Sequence, residues 1–394
     1  MREEIEQLDA KHILPTYKRQ PGVFVRGKGA RIWDSEGKEY LDFLAGIAVD
    51  ALGHCHPAMV AAMHEQAQTL IHTSNHLLTE PQVRLAEKLC QITGMDRVFF
   101  ANDGTTAVEC ALKIAKKHGL SKCPDGHYEF VSLHRSFHGR TLGALAATAQ
   151  EKYQKSFRPL IPGFRYVTAN NELELHAAMN KKTAAVIVEP IQGEGGLTTM
   201  SPEYLCSIRE LCDTNDALMI VDEVQTGMGR TGFWLAIHRT KIQPDLVVLA
   251  KALGSGFPIG ACLTRGRTNL ILESGEHGST FGGSALACAT AFSVLNTIEG
   301  EGLLQNAQER GYELAQGLLA IGDPIIEVRG HGLMRGAILN RPIARDIVRA
   351  CLDRGLIINA TDETTLRFVP PLIISSDEVQ ECLRVLRAVM GELG

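Results

Sequence analysis

Leu246-Val247-Val248-Leu249-Ala250-Lys251 is an unbroken apolar run closed by a single ammonium, and the flexible stretch Ala252-Leu253-Gly254-Ser255-Gly256 follows at once. A short run with no polar alternation reads as a strand covered on both faces, the pattern of a parallel sheet flanked by helices. Leu218-Met219-Ile220-Val221-Asp222-Glu223 repeats the pattern, with two carboxylates where the lysine stood. Working outward, β-rich runs stand at Arg97 to Ala101, Glu129 to Leu133, Ala184 to Val188 and Gly260 to Thr264, separated by helix-like stretches. This alternation predicts an α/β fold with a mostly parallel central sheet.

The two ends follow another rhythm. Val23 to Val25 and Ala30 to Trp33 flank a Gly27/Gly29 turn and predict a hairpin. Beyond a long helical stretch that begins near Leu286, strands expected at Ile325 to Val328, Leu333 to Leu339 and Leu366 to Val369 mix with helices expected at Ala344 to Arg354 and Asp377 to Met390. The expected organisation is an N-terminal arm over residues 1–55 that is part of a small domain, a large domain over 56–300, and a C-terminal small α+β domain over 301–394.

Composition narrows the function classes. The 394 residues are 45% hydrophobic with a net charge of −5, and no basic stripe is interleaved with aromatics, so no nucleic-acid partner is expected. No apolar run approaches the ~18 residues of a membrane helix. The acidic start Met1-Arg2-Glu3-Glu4 does not resemble a signal peptide, and a cytoplasmic location is expected. Ten cysteines without regular spacing fit reduced thiols better than a disulfide framework. His54-Cys55-His56, flanked by Gly53 and Pro57, reads as a tight structural turn, and no metal is expected there.

The chemistry is carried by a few short segments. A lysine ending a buried strand has its pKa lowered by desolvation and becomes a candidate amine nucleophile, the alternative being a side chain that snorkels to water. Acids at the carboxyl end of a strand, such as Asp222, stand where open α/β sheets bind ligands, although such a residue also caps turns. Together they match what pyridoxal phosphate needs, a lysine amine and an acid for its pyridine nitrogen. A competing motif, Gly227-Met228-Gly229-Arg230-Thr231-Gly232 with Asp245 downstream, satisfies a dinucleotide fingerprint, but its glycines follow a polar segment rather than a strand. Asp103-Gly104-Thr105-Thr106, between a strand end and a helix over Ala107 to Lys117, suits a phosphate or an ordinary N-cap. In Ser136-Phe137-His138-Gly139-Arg140-Thr141, an aromatic ring could cover a planar group and Arg140 could grip a carboxylate.

In this order the segments resemble the class III family of pyridoxal-phosphate aminotransferases. Gly29-Ala30-Arg31-Ile32-Trp33-Asp34, Leu41 to Val49, Val188-Glu189-Pro190-Ile191-Gln192-Gly193-Glu194-Gly195-Gly196 and Leu366-Arg367-Phe368-Val369-Pro370-Pro371-Leu372 extend the likeness over nearly the whole chain. The resemblance implies the fold type I architecture, with pyridoxal 5′-phosphate bound covalently to Lys251 and paired through its ring nitrogen with Asp222. It further implies that Val224 and Phe137 sandwich the ring, that Gln225 lies near its phenolic oxygen and that Gly104 and Thr105 hold the phosphate. Thr280 would be lent to the neighbouring subunit of a homodimer with shared active sites. Arg140 would bind the α-carboxylate of an N-acyl-ornithine, and Arg367 that of glutamate, with Glu194 switching between them. Ile47, where ornithine aminotransferases carry a tyrosine, would favour an acylated amine. The implied reaction is transamination of the distal amine of N-acetylornithine with 2-oxoglutarate. Alternatives are succinylornithine, N-succinyl-diaminopimelate, 4-aminobutyrate or ornithine as substrate, or an aminomutase or racemase on the same scaffold.

Three departures from the family pattern bear on the site. Asp103 stands where a small hydroxyl residue is usual and should repel a phosphate unless it caps the helix. Thr106 and Val108 replace a glutamate and an asparagine, and Leu77 and Leu78 replace aromatic residues near the expected acyl pocket.

Overall fold

The structure, a computed structural model, describes residues 2–393. Its centre is a seven-stranded sheet in the order Arg97–Ala101, Gly260–Thr264, Leu246–Leu249, Leu218–Asp222, Thr183–Val188, Glu129–Leu133, Phe164–Val167. From Leu246–Leu249 to Phe164–Val167 neighbouring strands run parallel, whereas Gly260–Thr264 is antiparallel to both of its neighbours. Every residue of Leu218–Asp222, Leu246–Leu249 and Thr183–Val188 is buried, which is why these segments are apolar throughout.

Six of the seven strands stand where the sequence predicts them. Phe164–Val167 carries no strand signal in the sequence: it is a four-residue edge strand, only partly buried, with Arg165 and Tyr166 interrupting any apolar run. Tertiary context makes it a strand, including Phe164 stacked on Phe130 at 4.9 Å between ring centroids. The helix Gly104–Lys122 crosses one face of the sheet and buries Ala107, Val108, Ala111, Ile114 and Ala115. Small side chains let it lie close, and a Cβ at Gly119 would stand 2.7 Å from that of Ala184.

Both chain ends meet outside this sheet. Phe24–Lys28, Arg31–Asp34 and Glu39–Asp42 form an antiparallel ribbon, and Leu356–Ile357 from the far end of the chain joins it parallel to Glu39–Asp42. A second small sheet holds the hairpin Ile325–His331/Met334–Leu339, followed by Thr365–Phe368 and Asn359–Asp362. The smaller α+β unit is thus built from both termini. The long helical stretch is two helices, Ala285–Gly300 and Leu303–Leu319, parted at Gly302, whose φ of 65° ends a helix. His54-Cys55-His56 forms a turn whose side chains diverge: His54 Nε2 meets Asp42 Oδ2 at 2.9 Å, Cys55 is exposed, and His56 Nε2 lies 3.5 Å from Glu301.

Candidate active site

Lys251 directly follows Ala250 at the end of Leu246–Leu249 and opens a short helical turn, Lys251–Leu253. Its φ is 47°, a left-handed conformation that costs a non-glycine residue on the order of 1–2 kcal/mol. The turn compensates by engaging the Lys251 carbonyl twice, with the amides of Gly254 at 3.0 Å and Ser255 at 3.1 Å. Burial pushes the pKa of the Lys251 amine down; Glu194 opposes that shift and Arg367 reinforces it.

Asp222 ends the adjacent strand, in register with Val248. Its Oδ2 meets His138 Nδ1 at 2.7 Å, and its Oδ1 accepts the Val224 amide at 3.0 Å. Since a carboxylate only accepts, Nδ1 carries the proton. Burial alone would push His138 down, but the bond to Asp222 outweighs it and the imidazole pKa is raised.

Glu189 is buried beside them, accepting the amides of Phe137 at 3.0 Å and Gly193 at 3.2 Å. Desolvation, joined by the nearby Asp222 charge, raises its pKa to about 7. Between the ordinary carboxyl value and about 7 the folded protein therefore holds a proton that the unfolded chain has lost, and this group's contribution to stability falls as pH rises through that interval. Urea unfolding at about pH 5 and about pH 8 checks this: Glu189→Gln should lose less stability across that interval than the unaltered protein.

At the other end of the cavity the helix Gly104–Lys122 begins. Asp103, expected to disturb a phosphate, is turned onto the helix as its N-cap: Oδ1 accepts the Thr106 amide at 2.8 Å and the Thr106 hydroxyl at 2.9 Å. That capping box explains Thr106 and satisfies one first-turn amide, leaving those of Gly104 and Thr105 with no acceptor within the helix. A Cβ on Gly104 would come within 2.9 Å of Val224, so only glycine keeps this approach open.

Lys251, Asp222, Val224, Gln225, Gly104, Thr105, Phe137, Arg140 and Glu194 all line one cavity of about 390 Å³. Arg367 lies behind this wall, fully buried. Its Nη1 pairs with Glu194 and donates to the Gly193 carbonyl at 2.9 Å, and its Nε donates to Asn359 Oδ1 at 3.1 Å. Burial works against the Glu194 charge, but Arg367 outweighs it and the carboxyl pKa is lowered. Arg140 stands at the rim with its guanidinium 3.8 Å from the Tyr153 ring centroid and 5.2 Å from that of Phe137. Two predicted residues lie apart. Ile47 is 39% exposed and Val49 takes the place at the cavity wall; Thr280 is exposed on a separate groove with Asn75 and His277.

His138 and Glu189 lie within the Ser136–Thr141 and Val188–Gly196 motifs but carry no role there from sequence alone, and neither do Tyr153 and Asn359. The signal for the first two was a titratable residue inside a glycine-rich motif; nothing local marks the others.

A reactive amine and a carboxylate at adjacent strand ends, with a helix N-terminus across the cavity, suit group transfer on an amine. Comparison with known proteins agrees. The family Aminotransferase class-III matches residues 15–390. The chain belongs to the class-III aminotransferases. The acetylornithine aminotransferase of Gloeobacter violaceus is 46% identical over 393 residues, covering 99% of this chain and 98% of its relative. That of Caldanaerobacter subterraneus subsp. tengcongensis is 45% identical over 388 residues, 98% of each. Among solved structures, the ornithine aminotransferase of Toxoplasma gondii ME49 superposes with a TM-score of 0.95 at 33% identity, covering 100% of this chain and 96% of that one. The N-acetylornithine aminotransferase of Stenotrophomonas maltophilia K279a does so with 0.86 at 38% identity over 98% of both. Class-III aminotransferases are pyridoxal-phosphate enzymes.

Proposed function

We propose that this aminotransferase moves the distal amino group of N-acetylornithine to 2-oxoglutarate, yielding N-acetylglutamate 5-semialdehyde and glutamate, with pyridoxal 5′-phosphate in the cavity. The observation that carries the reading is Lys251 and Asp222 lining one cavity in a chain whose relatives, over nearly their whole length, are acetylornithine aminotransferases. When bound, the cofactor supplies an aldehyde that combines reversibly with amines and a ring that withdraws electrons.

The chain's own groups suit that cofactor. Lys251 offers a desolvated amine that can be neutral, bond covalently and, once displaced, carry a proton for the substrate. Asp222, whose two carboxylate oxygens are held by His138 and the Val224 amide, would offer its charge to the ring nitrogen. Val224 and Phe137 would flank the ring and Gln225 would face its phenolic oxygen. The amides of Gly104 and Thr105, in a cradle that a Cβ would fill, would take the phosphate at a helix N-terminus.

For the two substrates, Arg140 would hold the α-carboxylate of N-acetylornithine while Glu194 stays paired with Arg367. Glutamate would displace Glu194 and bring its own α-carboxylate to Arg367. Glu194→Ala is therefore expected to slow the N-acetylornithine half-reaction and spare the glutamate half-reaction; single-turnover spectra with each amine check this, and equal losses would reject the switch.

The functional unit would be a cytoplasmic homodimer in which Thr280 serves the partner's phosphate site. Ile71, Leu77, Leu78 and Val83 are apolar and 52–91% exposed, and a second copy would cover them. Residues 56–300 would form the cofactor-holding domain, with the arm over 1–55 and the segment 301–394 supplying the small one.

Ornithine is the second reading, favoured by the fit to the Toxoplasma enzyme. An amine panel decides: N-acetylornithine should bleach the cofactor band at far lower concentration than ornithine or 4-aminobutyrate. Preference for ornithine would overturn the acylated substrate, and turnover without 2-oxoglutarate would point to a mutase or racemase.

A further inference from the structure

Behind the rim of the cavity lies a chain of polar groups that the proposed chemistry does not use. Glu109 projects from the helix Gly104–Lys122, and its Oε1 accepts the Thr141 hydroxyl and, at 3.0 Å, the Ala144 amide. Thr141 Oγ1 lies 3.1 Å from Thr105 Oγ1. Thr105 Oγ1 also accepts the amides of Arg140 at 3.1 Å and Thr141 at 3.3 Å.

Counting donors fixes every hydrogen in this chain. Glu109 Oε1 receives an amide and is therefore an acceptor, so the single hydroxyl proton of Thr141 is committed to it. Between the two threonines the donor must then be Thr105. With its proton given to Thr141 and both lone pairs taken by main-chain amides, the Thr105 hydroxyl has nothing left for a ligand. Thr105 can reach a phosphate only through its main-chain amide, while its hydroxyl anchors the turn that carries Arg140.

We infer that Glu109, acting through Thr141 and Thr105, is a positioning residue for Arg140. Two glycines permit the chain to close: a Cβ on Gly139 would overlap Thr105 Oγ1, and one on Gly143 would lie 2.5 Å from Glu109 Oε2. Gly139 also has a φ of 135°, which side chains rarely adopt. Main-chain bonds thus set where the Arg140 Cα stands, and the Tyr153 ring sets where its guanidinium lies. The inference rests on the reading of Arg140 as the holder of the substrate carboxylate.

The test compares two amines in the half-reaction of the holoenzyme: N-acetylornithine, and N-acetyl-1,4-diaminobutane, which is the same amine without the carboxylate. Thr141→Val and Glu109→Ala should each raise KM for N-acetylornithine about tenfold, the weight of one positioning hydrogen bond, with kcat nearly kept. Neither should change kcat/KM for the carboxylate-free amine. Glu109→Gln keeps an acceptor Oε1 for both bonds and should stay within about twofold of the unaltered enzyme. Equal losses with both amines, or a Glu109→Gln enzyme as impaired as Glu109→Ala, would overturn the inference. Arg140→Ala separates the two levels: if it fails to discriminate between the amines, the reading of Arg140 falls and the positioning role with it. If Arg140→Ala alone discriminates, only the positioning role falls. Thr141→Val is nearly isosteric, so a folded variant is available for measurement.

Discussion

Lys251→Ala is expected to lower turnover by about 10⁴-fold, because it removes both the covalent anchor and the group that carries the proton. Borohydride reduction followed by peptide mapping gives an independent readout: the unaltered protein should retain the cofactor's mass at position 251, and the variant should not. Activity in Lys251→Ala comparable with the unaltered enzyme would reject the chemistry proposed for this cavity. Stability should move the other way along a related series. With φ at 47°, Lys251→Gly relieves a strained backbone that Lys251→Ala retains, and should be more stable than Lys251→Ala by about 1 kcal/mol in urea unfolding.

Asp222→Ala should be damaging twice over. Its carboxylate is buried, opposite His138 at 2.7 Å, and truncation leaves an imidazole whose pKa the pair had raised without its partner. Breaking a buried pair in this way costs about 3 kcal/mol. Loss of the charge facing the cavity should also lower kcat on the order of 10²–10³-fold, as removal of one preorganised electrostatic partner does elsewhere. Asp222→Asn tells the two effects apart. It keeps an acceptor for His138 or the Val224 amide, so most of the stability should remain while turnover stays as low as in Asp222→Ala. A fully active Asp222→Asn enzyme would show that the charge is not what this residue contributes.

The sheet was legible in the sequence because its central strands are buried on both faces, and burial on both faces leaves no room for polar residues from Leu246 to Leu249 or Leu218 to Val221. Phe164–Val167 is not legible for the converse reason. An edge strand of four residues faces solvent on one side, and its pairing with Glu129–Leu133, not its composition, makes it a strand. The same contrast holds at the site. Lys251 and Asp222 could be found because each ends an apolar run. The roles of Glu109 and Tyr153 could not, since their partners Thr141 and Arg140 are brought to them only by packing.

Asp103 shows how one residue reads differently at the two levels. By itself it is an anion at a turn suited to a phosphate. In the folded chain its carboxylate is engaged by the Thr106 amide and hydroxyl, and the two residues that depart from the family pattern at this turn complete each other's hydrogen bonds.

By itself the sequence determined the α/β class, the central strands, and the order of the segments bearing an amine, an acid, a helix N-terminus and two arginines, because burial and local turn chemistry leave periodic traces along one chain. Only the tertiary structure decided that Val49 rather than Ile47 walls the cavity, that Arg367 lies buried behind Glu194, and that Thr105 spends its hydroxyl on the protein. Those outcomes depend on distances between residues remote in sequence, which packing sets and no local pattern encodes.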